Sequence, residues 1–219
     1  MKPTIVIPAI GRQYELEAER LLSTFPDAIL VTEQHPLYQR PHPVPLLAGL
    51  LTKAEFARYL PDDVPGPILL CDADLHALRA DPLSEFSVAT TTDVALVPYT
   101  GRWFYHEGAL QQAAERFGNR QLNSGFIYFK SLAVAGQVSA AWHEQFLQRV
   151  NDESRSMKAR LSEYDEPALM LALVGLDLEV ELLDPVWNDW EHTVPGAIFR
   201  QTHTPSVPAD TLFTVAGGA

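Results

Sequence analysis

The chain has 219 residues, 47% of them hydrophobic, enough to enclose one sizeable core, and it reads as a single domain over residues 1–219. Sixteen basic against twenty-eight acidic residues leave a net charge of −12, which repels phosphate backbones and anionic lipid and so argues against generic nucleic-acid or membrane-surface binding. The one cysteine, Cys71, has no partner for an internal disulfide and is expected buried and inert, and no run approaches the ~20 apolar residues of a membrane span, so a soluble cytoplasmic protein is expected.

The opening "MKPTIVIPAIGRQ" carries a short apolar run punctuated by Pro3 and Pro8, with no small-residue cleavage site after it. It reads as a first strand over 4–9, not as a signal peptide. In 15–25, Leu16, Leu21, Leu22 and Phe25 form a helical stripe. "AILVTE" (28–33) is a second buried strand, and the proline-rich stretch 34–45 is a surface loop. Helical spacing returns over 50–60. "PILLCD" (67–72) and "DVALVPYT" (93–100) are the third and fourth strands.

Residues 102–121 open in the aromatics Trp103, Phe104 and Tyr105 and continue as a helix ending at Gly118. The aromatics either pack in the core or stack on a sugar. "LNSGFIYFK" (122–130) starts polar and small and finishes as an apolar strand, and 132–150 is a long amphipathic helix. Pro167 falls near the start of a helix within 163–176, where its missing N–H costs little. "LEVELLDPVWND" (178–189) and "AIFRQTHT" (197–204) supply the last strands. Strands alternating with helices through the first hundred residues predict an α/β fold, a Rossmann-like, mostly parallel sheet flanked by helices.

The third strand ends in Asp72-Ala73-Asp74. Ligands of open α/β sheets bind at the carboxyl ends of strands, and residues i and i+2 of an extended chain point the same way. Two carboxylates so placed repel unless a cation lies between them. Hard oxygen ligands suit Mg²⁺ or Mn²⁺, which commonly carries substrate phosphates as well. The other reading is a strand-end turn in which one Asp caps the next element.

An apolar strand ending in D-x-D, "LNSGFIYF" about fifty residues on, then "YDEPALMLAL" and a late "PVWND", resembles the GT-A glycosyltransferases, most of all the family-8 retaining enzymes, the glycogenin-like group. The resemblance spans roughly 4–204. It implies a GT-A fold with a nucleotide-binding half over about 1–100 and an acceptor-binding half over about 101–210. It also implies a metal-dependent, hexosyltransferase-like enzyme that uses Mn²⁺ or Mg²⁺ to move a sugar, with retention, from a nucleotide-diphosphate sugar, UDP favoured, to a glycan, lipid-linked or protein hydroxyl.

By the same resemblance Asp72 and Asp74 are metal and donor ligands, with Ala73 between them, and His203 is the third metal ligand, although the family's H-x-x-G-x-x-K-P-W signature is absent around it. His76 competes for that role. Asn123, Ser124 and Gly125 match N-[ST]-G, where glycine permits close backbone approach and the polar pair offers donors to sugar hydroxyls. Asp165 matches the acid of D-Q, with Glu166 in place of glutamine. These acids stabilise charge at the anomeric carbon, or deprotonate the acceptor if the enzyme inverts. Pro8, Ala9, Ile10, Gly11 and Arg12 follow the first strand where the nucleotide is cradled, and Trp187 and Asn188 match W-N near the acceptor. Acceptor contacts are expected from 34–45 and 100–120.

Three rivals share parts of this pattern. A haloacid-dehalogenase-type phosphatase also ends a strand in D-x-D, but two strands precede it here and His76 stands where a small residue belongs. A sugar-nucleotidyltransferase needs a G-x-G-T-R loop that "PAIGRQ" lacks. A non-catalytic sugar-nucleotide-binding module would keep the fold without turnover.

Overall fold

The computed structural model describes residues 2–99, 108–161, 164–190 and 192–201. Trp103, Phe104, Tyr105 and His203 lie outside them. The described elements are β1 (Thr4–Pro8), α1 (Arg12–Thr24), β2 (Ile29–Val31), α2 (Pro45–Ala54), β3 (Ile68–Cys71), β4 (Leu75–Ala77), β5 (Val94–Pro98), α3 (Gly108–Arg116), β6 (Leu122–Phe129), α4 (Leu132–Asn151), α5 (Met157–Leu161), α6 (Glu166–Gly175), β7 (Val180–Leu182) and β8 (Phe199–Gln201). A 3₁₀ turn at Phe56–Tyr59 follows α2, and another at Pro185–Trp187 follows β7.

The main sheet runs β2-β1-β3-β6-β5-β7, and β4 pairs with β8 in a separate two-stranded ribbon. Pairings β1–β2, β1–β3 and β5–β7 are parallel, as expected of an α/β layer, whereas β6 enters antiparallel to both β3 and β5. That reversal positions the site. It carries the amino end of β6, with Asn123, Ser124 and Gly125, to the edge where β3 ends in Asp72.

Alternation explains the continuous apolar runs. Val6, Ile68, Leu70, Leu96, Ile127 and Phe129 face the core packed by α2, α4 and α6. Ile5, Ile7, Leu69, Cys71, Val97 and Phe126 face the opposite core, with Leu21 of α1, Trp187 and Phe199. Strands covered on both faces read as unbroken hydrophobic stretches. Cys71 is fully buried, and burial pushes its thiol pKa well up.

Some boundaries differ from the sequence reading. α1 buries Ala18 and Leu21, with Phe25 at its C-cap, while Leu16 is exposed, so the stripe is narrower than its apolar spacing suggested. α2 begins at Pro45, within the proline-rich stretch, because a proline in the first helical turn has no hydrogen bond to lose. β4 has three residues, too short for periodicity to reveal. Helix α4 is capped by Ser131, whose side chain accepts from the Val134 N–H. It buries Ala135, Val138, Trp142, Phe146 and Val150. No described helix is long and apolar enough to cross a membrane.

Trp142 joins this core to the site above it. Its ring is fully buried, and its indole N–H donates to the Asp165 carbonyl at 2.9 Å. Trp142→Ala is expected to lower stability by about 3–5 kcal/mol, read as a lowered urea midpoint.

Candidate active site

The carboxyl ends of β1, β3 and β5 and the reversed start of β6 share one edge of the sheet. At that edge the D-x-D segment is a turn between β3 and β4. The Asp72 N–H donates to the Gly125 carbonyl at 2.9 Å, extending the ladder by one rung, and the Leu75 N–H returns to the Asp72 carbonyl at 3.1 Å.

Beneath the turn lies a residue the sequence reading did not single out. Lys53, on the last turn of α2, is 6% exposed. Its Nζ stands 2.6 Å from Asp72 Oδ1 and 3.1 Å from Asp165 Oδ2, and it donates to Ser124 Oγ at 2.8 Å. The contact with Asp165 is an ion pair off hydrogen-bond alignment. The Trp142 ring lies 6.0 Å from the ammonium. Burial alone would push the Lys53 pKa down, but Asp165, Asp72 and Glu166 outweigh it and hold the ammonium charged.

The second carboxylate oxygen of Asp72, Oδ2, accepts from Gln201 Nε2 of β8 at 3.0 Å. Burial, then repulsion from Asp72, pushes the Asp74 carboxyl up to about 7. Asp74 is 9% exposed.

Asp165 precedes α6, and Glu166 opens it. Asp165 is 2% exposed. Glu166 is partly buried and accepts from the Tyr99 hydroxyl at 2.9 Å. Burial, then the charge of Asp165, pushes the Glu166 carboxyl up to about 8. Tyr99 in turn meets Trp190 edge-on, with ring centroids 5.2 Å apart.

Of the remaining candidates, Asn123, Gly125 and Asn188 connect to this centre through Gln201 and the Asp72 backbone. Asn123 Oδ1 accepts from the Gly125 N–H at 2.6 Å and from Asn188 Nδ2 at 2.7 Å. Trp187 packs into the core against Phe86 and Phe126. Past Pro8, Ala9 donates its N–H to Val31, and Gly11 caps α1 at φ 95°, a conformation that favours glycine. Arg12 is exposed and lies 3.6 Å from Glu15. His76 lies 3.4 Å from Glu17 on α1. Among the described residues no group of three His, Cys, Asp or Glu side chains gathers as a metal cluster.

No protein-family model and no curated protein matches the chain. Solved structures do. The chain is similar to mouse xyloside xylosyltransferase 1 in its apo form, with a TM-score of 0.51 and 9% identity over 93% of this chain and 98% of that one. It is similar to a glycosyltransferase involved in the glycosylation of the major capsid of PBCV-1, with a TM-score of 0.57 and 12% identity over 96% and 97%. An active-site mutant of LgtC gives a TM-score of 0.53 and 13% identity over 98% and 95%. At such identities the shared property is the fold, the GT-A fold expected from the sequence.

Two outcomes follow from the charges. Lys53→Met leaves the buried Asp165 and the half-buried Asp72 without their cation and is expected to cost about 3–5 kcal/mol. Adding Asp165→Asn should recover part of the loss in urea unfolding. Glu166 titrates near the ordinary carboxylate value when unfolded but only at about 8 when folded. The folded state therefore holds the extra proton between those values, and stability falls as pH rises from about 4.5 to 8. Melting temperatures from pH 5 to 9 should show that decline, with the part above pH 7 flattened in Glu166→Gln.

Proposed function

We propose that this chain transfers a sugar from a nucleoside-diphosphate sugar, UDP favoured, to an acceptor hydroxyl, with retention at the anomeric carbon. The observation that carries the reading is the D-x-D turn at the carboxyl end of β3, its first acid anchored from below by the buried Lys53–Asp165 pair. The GT-A fold supports it, as does the likeness to a xylosyltransferase and to a glycosyltransferase of capsid glycosylation. Retention rests on the family-8 likeness of the D-x-D, N-S-G, D-E and W-N segments.

The acid pair suits a hard divalent cation. Burial and then the charge of Asp72 push the Asp74 pKa up, and this mutual repulsion is what a cation relieves. Each Asp72 oxygen has one assigned donor and keeps a second lone pair. Asp72 and Asp74 would hold Mn²⁺ or Mg²⁺, with His203 as third ligand. When bound, such an ion neutralises the negative charge that grows on a departing diphosphate.

The chain's own groups do the rest. Lys53 fixes Asp72 and Asp165 in place, so neither acid has to be reoriented for the reaction. Ser124, donated to by Lys53, ties the start of β6 to the same centre. Glu166, like Asp72, is partly accessible. Held by the Tyr99 hydroxyl, it carries its proton at neutral pH and gives it up near pH 8. It is placed to exchange a proton with a bound hydroxyl.

A thermal-shift screen of UDP-, GDP-, CDP- and dTDP-sugars, with and without Mn²⁺, tests the proposal. A UDP-sugar is expected to raise the melting temperature most, and Asp72→Asn and Asp74→Asn should each abolish the Mn²⁺-dependent part. Folded protein that responds to none of the four donors would overturn the reading.

A further inference from the structure

Asp72 is held on its far side by three carboxamides whose order leaves no freedom of direction. Asn123 Oδ1 accepts from the Gly125 backbone N–H at 2.6 Å, and an N–H can only donate. That oxygen also takes Asn188 Nδ2 at 2.7 Å, so Asn188 must present its nitrogen there. The other Nδ2 proton goes to Gln201 Oε1 at 3.3 Å. Gln201 thereby turns its own Nε2 to Asp72 Oδ2 at 3.0 Å, where a carboxylate accepts. One end of the chain is set by a peptide N–H and the other by an anion. Neither can reverse.

Two independent observations mark this as a built feature. A Cβ on Gly125 would stand 2.7 Å from Gln201 Oε1, 2.8 Å from Asn188 Nδ2 and 3.0 Å from Asn123 Oδ1, so the space a side chain would need is filled by the three amides. Asn188 Oδ1, in a residue 4% exposed, is buried with no hydrogen-bond partner. Orphaned buried acceptors are uncommon and costly. This one follows from aiming Asn188 Nδ2 at the other two amides.

We infer that Asn123, Asn188 and Gln201 form a one-way amide relay, housed by Gly125, in which Asn188 and Gln201 are positioning residues that hold Asp72 from the side opposite Lys53. The inference deepens the transferase reading and rests on it for its purpose. Its geometry does not need a donor, and neither does its test. Gln201→Glu keeps the acceptor facing Asn188 but sets a carboxylate against Asp72, and should lower the melting temperature clearly. Asp72→Asn added to Gln201→Glu supplies an amide donor to the new acid and should restore most of the loss. Additive losses in the double variant would overturn the relay.

Side-chain amide resonances of ¹⁵N-labelled protein give a second readout, which a merely structural contact would not move. Asp72→Asn and Gly125→Ala should each shift both the Gln201 and the Asn188 carboxamide signals. A shift confined to Gln201 in Asp72→Asn, or none at all, would overturn the proposal. An intact relay in a protein that binds no sugar nucleotide would count against the transferase reading alone.

Discussion

One ammonium group organises the functional end of this molecule. An isolated charge in the interior is prohibitively costly, and burying an ion pair yields little net stability, but removing one partner from such a pair is severely destabilising. Lys53 Nζ meets Asp72 from β3, Asp165 from the start of α6 and Ser124 from β6, and it sits itself on α2. Four elements thus converge on a single atom. Hydrophobic packing decides where the layers lie, and this cation decides how their ends register with one another.

Each face of the sheet contributes differently to that end. On one face Trp142 packs among α2, α4 and α6 and hands its indole N–H to the Asp165 backbone. On the other, Trp187 is wedged against Phe86 and Phe126. Because the ring of Trp187 is fixed in the core, the amide of the next residue, Asn188, is delivered to one place. The W-N pair therefore works as an anchor followed by a polar tip.

Much of this was legible in the chain. The doubly buried strands announced themselves as β-branched apolar runs, and Asp72 and Asp74 stood out because like charges do not normally terminate such a run together. Lys53 did not stand out, since a lone lysine in the last turn of a helix is also what the helix dipole favours on a surface. The family likeness singles out His203 in "FRQTHT", outside the described residues, while Gln201, two residues earlier, reaches Asp72. Amides have no spacing signature, and their role emerges only when three distant segments meet. The reversal of β6 was hidden for a similar reason. Alternating strands and helices specify neighbours poorly once a connection changes direction.

The helix that carries Asp165 and Glu166 is also gripped at its far end. The Arg116 guanidinium, at the end of α3, donates to the carbonyls of Leu173, Val174, Leu176 and Leu178 at 2.8–3.2 Å. Those carbonyls would otherwise face outward unsatisfied. The clasp joins α3 to the carboxyl end of α6, so α6 is held at one end by a guanidinium and at the other by the ammonium that meets Asp165.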